Sequence, residues 1–258
     1  MPNNDILRKM YKDGSLVSVV NMSQEGMAMP ANIETWTLDE YGKPISIELK
    51  SGVTSISSYY QYKNESLRKV VLPNTINTIE DYAFSYCNNL DINIPSGLTS
   101  AGMYVFQNSS LNADLSLPSS SFSSGNSASG YSANWRDGFY NCDFCGHTVT
   151  IENGVTVIPI NFARSFKNGT LVIPSSVTFL SPACFGQVSG SGNRTIIFLG
   201  DTPPNEANNS ATNSNSAWYV YDTSYYSGLT VIVPYWSFST YKSKFPEVAN
   251  YMQRAPLS

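Results

Sequence analysis

The chain has 258 residues, a formal net charge of −4 at pH 7 and only 13% charged residues. This sparse and slightly acidic charge offers no basic surface for the counterion release that dominates nucleic-acid binding, so nucleic acid is excluded as a partner. No apolar run approaches the roughly 18 residues that a membrane-spanning helix needs, which excludes membrane insertion.

Residues 1–48 precede the repeated part of the chain and are predicted to form a tail and an N-terminal cap. The segment "NDILRKMYKDG" (residues 4–14) predicts a helix or an attachment tail. The segment "ETWTLDEYGKPISIEL" (residues 34–49) alternates on both sides of a Tyr-Gly-Lys-Pro turn and predicts a β-hairpin that covers the first repeat. Charges occupy the place where a signal peptide needs its apolar centre, so either a leader precedes this sequence or the protein reaches its location without one.

From Leu49 onward an octapeptide recurs along the chain. Its copies are LKSGVTSI at residue 49, LPNTINTI at 72, IPSGLTSA at 94, LPSSSFSS at 117, IENGVTVI at 151 and IPSSVTFL at 173. Burying the roughly seven apolar residues of one unit stabilises it by roughly 10 to 20 kcal/mol, whereas ordering about 22 residues costs roughly 30 kcal/mol. One unit therefore cannot fold alone, and residues 49–198 are predicted to stack as the turns of a solenoid.

The motifs LPNTINTIEDYAFSYCNNL, IPSSVTFLSPACF and VTVIPINFARSF resemble the BspA-type (Treponema pallidum-type) leucine-rich repeat. The resemblance implies a mainly β leucine-rich repeat solenoid. It would be a right-handed coil with a short parallel sheet on its concave face, an N-terminal β-hairpin cap and a C-terminal strand-helix cap. Each turn is expected to contribute a short strand that ends at the recurring proline, because proline donates no hydrogen bond to a neighbouring strand.

Alternation within each predicted strand divides core from surface. Ile92 is expected to point inward, and Phe84 and Phe106, 22 residues apart, are expected to lie one above the other inside the coil. The outward positions form a concave face that is either a binding surface or simply solvated. Its candidate residues are Lys69, Asp91, Asn93, Asp114, Thr148, Thr150 and Thr170.

The fourth unit is about a dozen residues longer than the others, and the excess, near residues 122–137, predicts a surface loop. Residues 199–258 predict a loop-rich C-terminal cap, preceded by a strand at Thr195–Leu199. It contains a strand from Leu229 and a helix that begins at Pro234 and is broken at Pro246. Both regions carry the aromatic and arginine side chains typical of binding loops. The candidates are Tyr131, Trp135, Arg136, Tyr140, Trp218, Tyr219, Tyr221, Tyr225 and Tyr226; the alternative is that these aromatic rings pack on the solenoid itself.

Three motifs carry residues that catalysis or metal binding would use. His147 is the only histidine and lies at a strand entrance, which does not favour a Ser-His-Asp triad. In "CDFCGH", Cys142 occupies the repeat position of Cys87, which predicts a core cysteine rather than a zinc ligand or a redox pair. Asp91 and Asp114 are expected about 4.8 Å apart on adjacent turns, near the carboxyl spacing of retaining glycosidases, but without the apolar pocket that such acids need. No catalytic residue, metal or cofactor is therefore expected.

The sequence thus predicts a non-catalytic recognition module, adhesin-like or receptor-binding, that presents its concave sheet and aromatic loops to a protein or glycan on a cell surface. Proteins that resemble the BspA family are often bacterial cell-surface proteins, which implies a cell-surface or extracellular location if a leader precedes the sequence. The alternative is a structural virion component, such as a phage fibre or decoration protein, attached through the N-terminal region. The sequence leaves the oligomeric state open.

Overall fold

The computed structural model describes residues 6–12, 15–22, 30–122, 134–186, 192–206, 216–219 and 226–256, with only the backbone described for residues 6–22. Strands β1 (Ile6–Lys12) and β2 (Ser15–Met22) pair antiparallel in a sheet of their own. The helix predicted over residues 4–14 is therefore wrong, whereas the alternative, an attachment tail, stays a prediction. In the sequence an Asp-Gly pair separates the two strands, and such a pair favours a tight hairpin. This signal outweighs the short apolar pattern that suggested a helix.

The main ladder consists of one strand from each turn, paired in parallel with the strand of the next turn. It runs through two sheets, in the order β3-β4-β6-β8 and then β10-β11-β13-β15-β17-β18. The bounds of these strands are β3 Ile33–Leu38, β4 Pro44–Leu49, β6 Lys69–Val71, β8 Asp91–Ile92, β10 Leu115–Leu117, β11 Thr148–Ile151, β13 Gly169–Ile173, β15 Arg194–Phe198, β17 Leu229–Val233 and β18 Met252–Arg254. Because β3 and β4 pair antiparallel, the predicted hairpin is confirmed.

A second, narrower ladder follows the recurring proline. Its strands are β5 Ser55–Ile56, β7 Thr78–Ile79, β9 Ser100–Ala101, β12 Val157–Ile158, β14 Phe179–Leu180 and β16 Asn205–Glu206. They pair in parallel as β5-β7-β9 and β12-β14-β16, with Ile79 opposite Ala101 as the 22-residue spacing predicts. Between the two groups the fourth unit has a 3-10 helix, Ser119–Phe122, at the start of its extra residues.

The core lies between the ladders and the turns, and it is continuous along the described part of the solenoid. Phe84 and Phe106 stack with their ring centroids 5.9 Å apart and an interplanar angle of 14°, so the predicted register is confirmed. In the fifth unit the Ala-Phe order is reversed to Phe162-Ala163, and the Phe162 ring lies 5.5 Å from that of Phe139. The core therefore stays filled where the repeat departs from its pattern.

The turns themselves are joined by a third set of hydrogen bonds, which we call the turn edge (residues 58–64, 80–86, 102–108, 135–141, 159–165 and 181–186). Every second amide donates to a carbonyl of the next turn, as Tyr82, Phe84 and Tyr86 do at 2.9, 3.0 and 2.9 Å. The first and third donors of each turn have left-handed backbone, with φ between 52° and 60°. They are Tyr59, Lys63, Tyr82, Tyr86, Tyr104, Asn108, Asp137, Asn141, Asn161, Ser165 and Ala183.

The C-terminal cap closes the core beyond β17. Pro234 precedes a 3-10 helix, Tyr235–Ser237, and helix α1, Phe238–Lys244, while Pro246 begins a separate 3-10 helix, Pro246–Tyr251. The predicted helix after Pro234 and its interruption at Pro246 are both confirmed. The sequence analysis did not predict β18, a three-residue strand that pairs in parallel with β17.

Two buried carboxyl groups meet where this cap covers the last turns. Glu206 Oε2 accepts a hydrogen bond from the Ala217 amide at 2.9 Å, and Glu247 Oε1 lies 3.3 Å from the Ser216 hydroxyl. Burial raises the pKa of Glu206 to about 8 and raises the pKa of Glu247 above its ordinary value. Two carboxylates are both acceptors and cannot hydrogen-bond each other, so the pair is stable only when one of them holds a proton.

We predict that this pair makes the protein less stable at higher pH. Because the folded-state pKa of Glu206 is raised from 4.5 to about 8, its favourable contribution is fully present below about pH 4.5 and is lost as the pH rises through about 8. Thermal unfolding followed by circular dichroism between about pH 5 and pH 9 should show this decline in melting temperature. Glu206→Gln, which is neutral at every pH, should flatten the decline in melting temperature. The control Glu65→Gln, at an exposed position, should leave the decline unchanged. If the melting temperatures of all three proteins fell equally with pH, Glu206 would not be its cause.

Candidate recognition surfaces

The aromatic residue at the end of the insertion belongs to the core. Trp135 is fully buried, its indole Nε1 donates to the Ser121 hydroxyl at 2.9 Å, and its ring stacks on Phe139 and Phe106 at 5.6 and 6.3 Å. Gly138 leaves the space that the indole fills, because a Cβ there would lie 3.0 Å from Trp135. Trp135 is therefore not available to a partner, and its prediction as a binding residue is corrected.

The same correction applies to two aromatic residues of the second predicted loop region. Trp218 is fully buried, and its ring lies 5.3 Å from Phe185 and 5.7 Å from Phe245. Tyr226 is 1% exposed and donates its hydroxyl to the Trp218 carbonyl at 2.6 Å. Both rings close the end of the core together with Tyr241 and Phe245 of the cap, which are also fully buried. Tyr131, Tyr221 and Tyr225 lie outside the described residues.

Three of the predicted binding residues, Arg136, Tyr140 and Tyr219, are partly exposed. Arg136 and Tyr140 belong to the turn edge, and the Tyr219 ring lies 5.7 Å from the guanidinium of Arg164, which also belongs to it. The Arg136 and Tyr140 carbonyls accept hydrogen bonds from the amides of Tyr104 and Asn108 at 3.1 and 3.0 Å. Arg136 Nε lies 3.4 Å from the carboxylate of Asp137. Burial raises the pKa of Asp137, and its carboxylate accepts a hydrogen bond from the Tyr104 hydroxyl. Arg136 and Tyr140 therefore continue a surface that starts on the preceding turns.

That surface is a cluster of five tyrosines, Tyr59, Tyr62, Tyr82, Tyr86 and Tyr104, which we call the tyrosine edge. Tyr82 lies between Tyr59 and Tyr104, with ring centroids 5.0 and 4.8 Å apart and interplanar angles of 4° and 16°. Tyr62 meets Tyr59 and Tyr86 edge-on at 5.3 and 5.6 Å. The Lys63 ammonium lies 5.1 Å from the ring of Tyr62 and 5.5 Å from that of Tyr86, within cation-π distance.

The stacking decides which groups of the tyrosine edge a partner can reach. Both faces of the Tyr82 ring are covered by its neighbours, so ring edges and hydroxyl groups remain for contact. Burial raises the pKa of Tyr82 to about 12, so its hydroxyl stays protonated and can donate. Tyr62 is the most accessible ring of the group, at 36% exposed. This surface was not among the predicted binding residues, although the spacing of Tyr59, Tyr82 and Tyr104 repeats the period of the units.

The predicted concave face has two parts with different chemistry. In the first part the side chains bond one another: Lys69 lies 3.9 Å from Asp91, and Asp114 lies 3.3 Å from His147 and accepts the Thr148 amide at 2.8 Å. Asp91 and Asp114 thus have separate partners, which does not favour a glycosidase pair.

Asn93 is held by the backbone of the preceding turn. Its side-chain amide pairs with both the amide and the carbonyl of Leu72, each at 2.8 Å. This arrangement gives Asn93 a structural role. The threonine positions make up the second part of the face: Thr148 pairs with Thr170, and Thr150 lies opposite Ser116 and Val172.

The cysteine motif is divided between core and surface. Cys142 is fully buried in the core, as predicted from the repeat, and burial raises its pKa well above the ordinary value; Cys145 is exposed. All four cysteines are described and each is a free thiol. Over the described ranges, no three His, Cys, Asp or Glu side chains come together to hold a metal ion, and no helix is long and apolar enough to cross a membrane.

Comparison with known proteins gives one family match. The family model of the BspA type leucine rich repeat region matches in six copies, over residues 32–136 and 62–191. Among solved structures, the chain is similar to a leucine-rich repeat protein from Bacteroides ovatus, with 12% sequence identity, 81% of this chain and 82% of that chain covered, and a TM-score of 0.25. No curated protein matches the chain.

The burial of Trp135 predicts that Trp135→Ala destabilises the protein by about 3 to 5 kcal/mol, because it opens a cavity among Phe106, Phe122 and Phe139. Urea unfolding followed by circular dichroism measures this change. Tyr41→Ala is the control, since Tyr41 is 64% exposed and its loss should change stability by less than about 0.5 kcal/mol. If the Trp135→Ala protein were as stable as the control, the assignment of Trp135 to the core would be wrong.

Proposed function

The chain belongs to the BspA-type leucine-rich repeat family, and from this premise we propose that it is a non-catalytic, adhesin-like or receptor-binding module that contacts a protein partner through the tyrosine edge. The predicted fold class, a mainly β leucine-rich repeat solenoid, is confirmed by the family match and the stacked parallel strands. A repeat fold of this kind provides a long surface on which neighbouring turns present side chains at regular intervals.

The observation that carries the proposal is the choice of residue at the left-handed positions. One column of the turn edge contains Tyr59, Tyr82 and Tyr104, and the later turns place Asp137 and Asn161 in the same column with the same backbone. Asn and Asp adopt left-handed backbone more readily than bulky residues do. The fold requires left-handed backbone in this column but does not require tyrosine side chains. The presence of tyrosine there therefore needs another explanation.

Stacking between the rings does not supply that explanation by itself. Each stacked aromatic pair contributes about 0.5 to 1.5 kcal/mol beyond simple burial, and the column contains two such pairs. A left-handed conformation costs an ordinary residue about 1 to 2 kcal/mol, and three tyrosines adopt it. The two stacked pairs therefore recover about 1 to 3 kcal/mol of a cost of about 3 to 6 kcal/mol. Stacking within the column does not by itself explain the tyrosines, and a role in contact with a partner does.

The chemistry of the tyrosine edge suits a protein partner. Tyrosine provides rigid contact area with few rotatable bonds, and its hydroxyl can donate or accept a hydrogen bond. Arg136 and Lys63 add cationic groups beside the rings, and tyrosine and arginine are both enriched among the residues that dominate binding energy at protein interfaces. Because inter-turn hydrogen bonds hold the backbone and stacking holds the rings, binding loses little further freedom.

The proposal includes the absence of catalysis. The residues that catalysis would use are engaged elsewhere: His147 pairs with Asp114, whose side chain is 73% exposed, and Cys142 lies in the core. An exposed carboxylate beside a histidine lacks the enclosed, water-excluding environment in which such pairs act. A location on a bacterial cell surface or outside the cell belongs to the same proposal.

A role as a structural virion component is the second candidate. The observation that favours it is the hairpin β1–β2, which forms a sheet separate from both ladders of the solenoid. An element outside the repeats can serve as an attachment point without altering the turns. Removing residues 1–29 would abolish incorporation into a virion under this alternative, whereas partner binding at the tyrosine edge would survive.

The test of the tyrosine edge is the double variant Tyr82→Asn/Tyr104→Asn, assayed on an array of cell-surface and matrix proteins that the unaltered protein has first been shown to bind. Asparagine accepts the left-handed backbone, so the melting temperature should change by no more than a few degrees while binding weakens at least about tenfold, or 1.4 kcal/mol. Tyr41→Asn, at an exposed position away from the turn edge, should retain both properties. A large fall in melting temperature with unchanged binding would assign the rings to stability alone.

A further inference from the structure

The strand face of the later turns carries four threonines in exact register, which we call the threonine row. Thr148 lies opposite Thr170, Thr170 opposite Thr195 and Thr195 opposite Thr230, so the same outward position repeats across β11, β13, β15 and β17. All four side chains are partly exposed. Neighbouring strands lie about 4.8 Å apart, so the hydroxyl groups recur at that interval along the solenoid.

The four strands of the threonine row carry no exposed charged side chain, because Arg194 of β15 is buried. The charged groups at the edge of the row are His147 and Asp114, whose carboxylate accepts the Thr148 amide at 2.8 Å. The outward positions two residues further along the same strands are Thr150, Val172, Ile197 and Ile232, and Leu199, 56% exposed, follows β15. Lys69, Asp91 and Asp114 precede the row, and the exposed Arg254 lies beyond it on β18. The row therefore combines hydroxyl groups on one side with aliphatic side chains on the other.

The hydroxyl groups of the row are not used to hold the turns together. Elsewhere in the solenoid, threonine hydroxyls bond the preceding turn, as Thr75, Thr99 and Thr178 do to backbone carbonyls at 2.7, 3.1 and 3.2 Å. Within the described part of the chain, the four hydroxyls of the row have no such partner. Each can therefore donate to and accept from a ligand without breaking an internal hydrogen bond.

We propose that the threonine row binds a linear, uncharged polysaccharide that lies across the strands. Such a polymer repeats its hydroxyl groups and its C–H faces once per sugar ring, and an extended chain has a ring length close to the strand spacing. A protein surface rarely has this periodicity, and an anionic polysaccharide would find no exposed cation on these strands to pair with its charges, since Arg194 of β15 is buried. The site is distinct from the tyrosine edge and does not depend on it.

Threonine is also a favoured strand residue, and this preference is the competing explanation of the row. The two explanations differ in what the hydroxyl group does. Strand preference resides in the β-branched shape, which valine shares, whereas sugar binding needs the hydroxyl. The nearly isosteric change of threonine to valine separates them while leaving the fold intact.

The experiment measures binding of cellohexaose, mannohexaose and xylohexaose to the full chain by isothermal titration calorimetry. At least one of these extended, uncharged hexamers should bind. Thr170→Val/Thr195→Val should raise its Kd by at least about tenfold, since two hydrogen-bonding hydroxyls are lost. The matched control Thr156→Val, at an exposed position outside the row, should stay within about twofold of the unaltered protein.

Several outcomes would overturn the proposal. They are the absence of binding by all three hexamers at millimolar concentration, equal or tighter binding by the double valine variant, and equal binding of the coiled hexamer maltohexaose or of an anionic oligogalacturonate. Tighter binding by the valine variant would identify an apolar docking face instead. The tyrosine-edge double variant should bind the hexamer normally, so a failure at the threonine row is distinguishable from a failure of the proposed protein-binding function.

Discussion

The hydrogen bonds between successive turn edges are the constraint on which the rest of the structure depends. Every second amide of a turn must meet a carbonyl of the next turn, and the chain achieves this only with left-handed backbone at two positions four residues apart. The fourth unit shows how strict this requirement is. Its second ladder is replaced by a 3-10 helix and extra residues, yet Phe106 and Asn108 still donate to Gly138 and Tyr140 at 2.8 and 3.0 Å.

This constraint separates what the fold requires from what it leaves free. The backbone conformation at the turn edge and the apolar side chains beneath it are fixed, because each buried position is covered by the turn before and after it. The outward residues are not fixed, and the chain uses them differently along its length. Tyrosines occupy the edge of the early turns, while threonines and aliphatic residues occupy the strand face of the later ones. The fold therefore does not determine the side chains of either proposed binding surface.

The repeat period was sufficient to predict the main ladder, the stacked phenylalanines and the core position of Cys142, and alternation around a turn was sufficient to predict the β3–β4 hairpin. Two-residue strands such as Thr78–Ile79 carry too little pattern to be recognised, and β18 has only one residue more. Trp135 was assigned to a loop because it ends an insertion, although counting back four residues from Phe139 places it at the start of a regular turn. The tyrosine edge was missed because tyrosine is not a residue that signals left-handed backbone, although Tyr59, Tyr82 and Tyr104 recur with the period of the units.

Native-state amide hydrogen exchange, followed by NMR, tests most directly whether the turn edge holds the solenoid together. The amides of Tyr82, Phe84 and Tyr86, and those of Tyr104, Phe106 and Asn108 one turn later, should exchange as slowly as the amides of the main ladder. Both sets should be released only by unfolding of the whole stack. Rapid exchange at these six amides, with the amides of the main ladder still protected, would contradict the account. The hydrogen bonds of the turn edge would then open independently of the strands and would not hold the solenoid together.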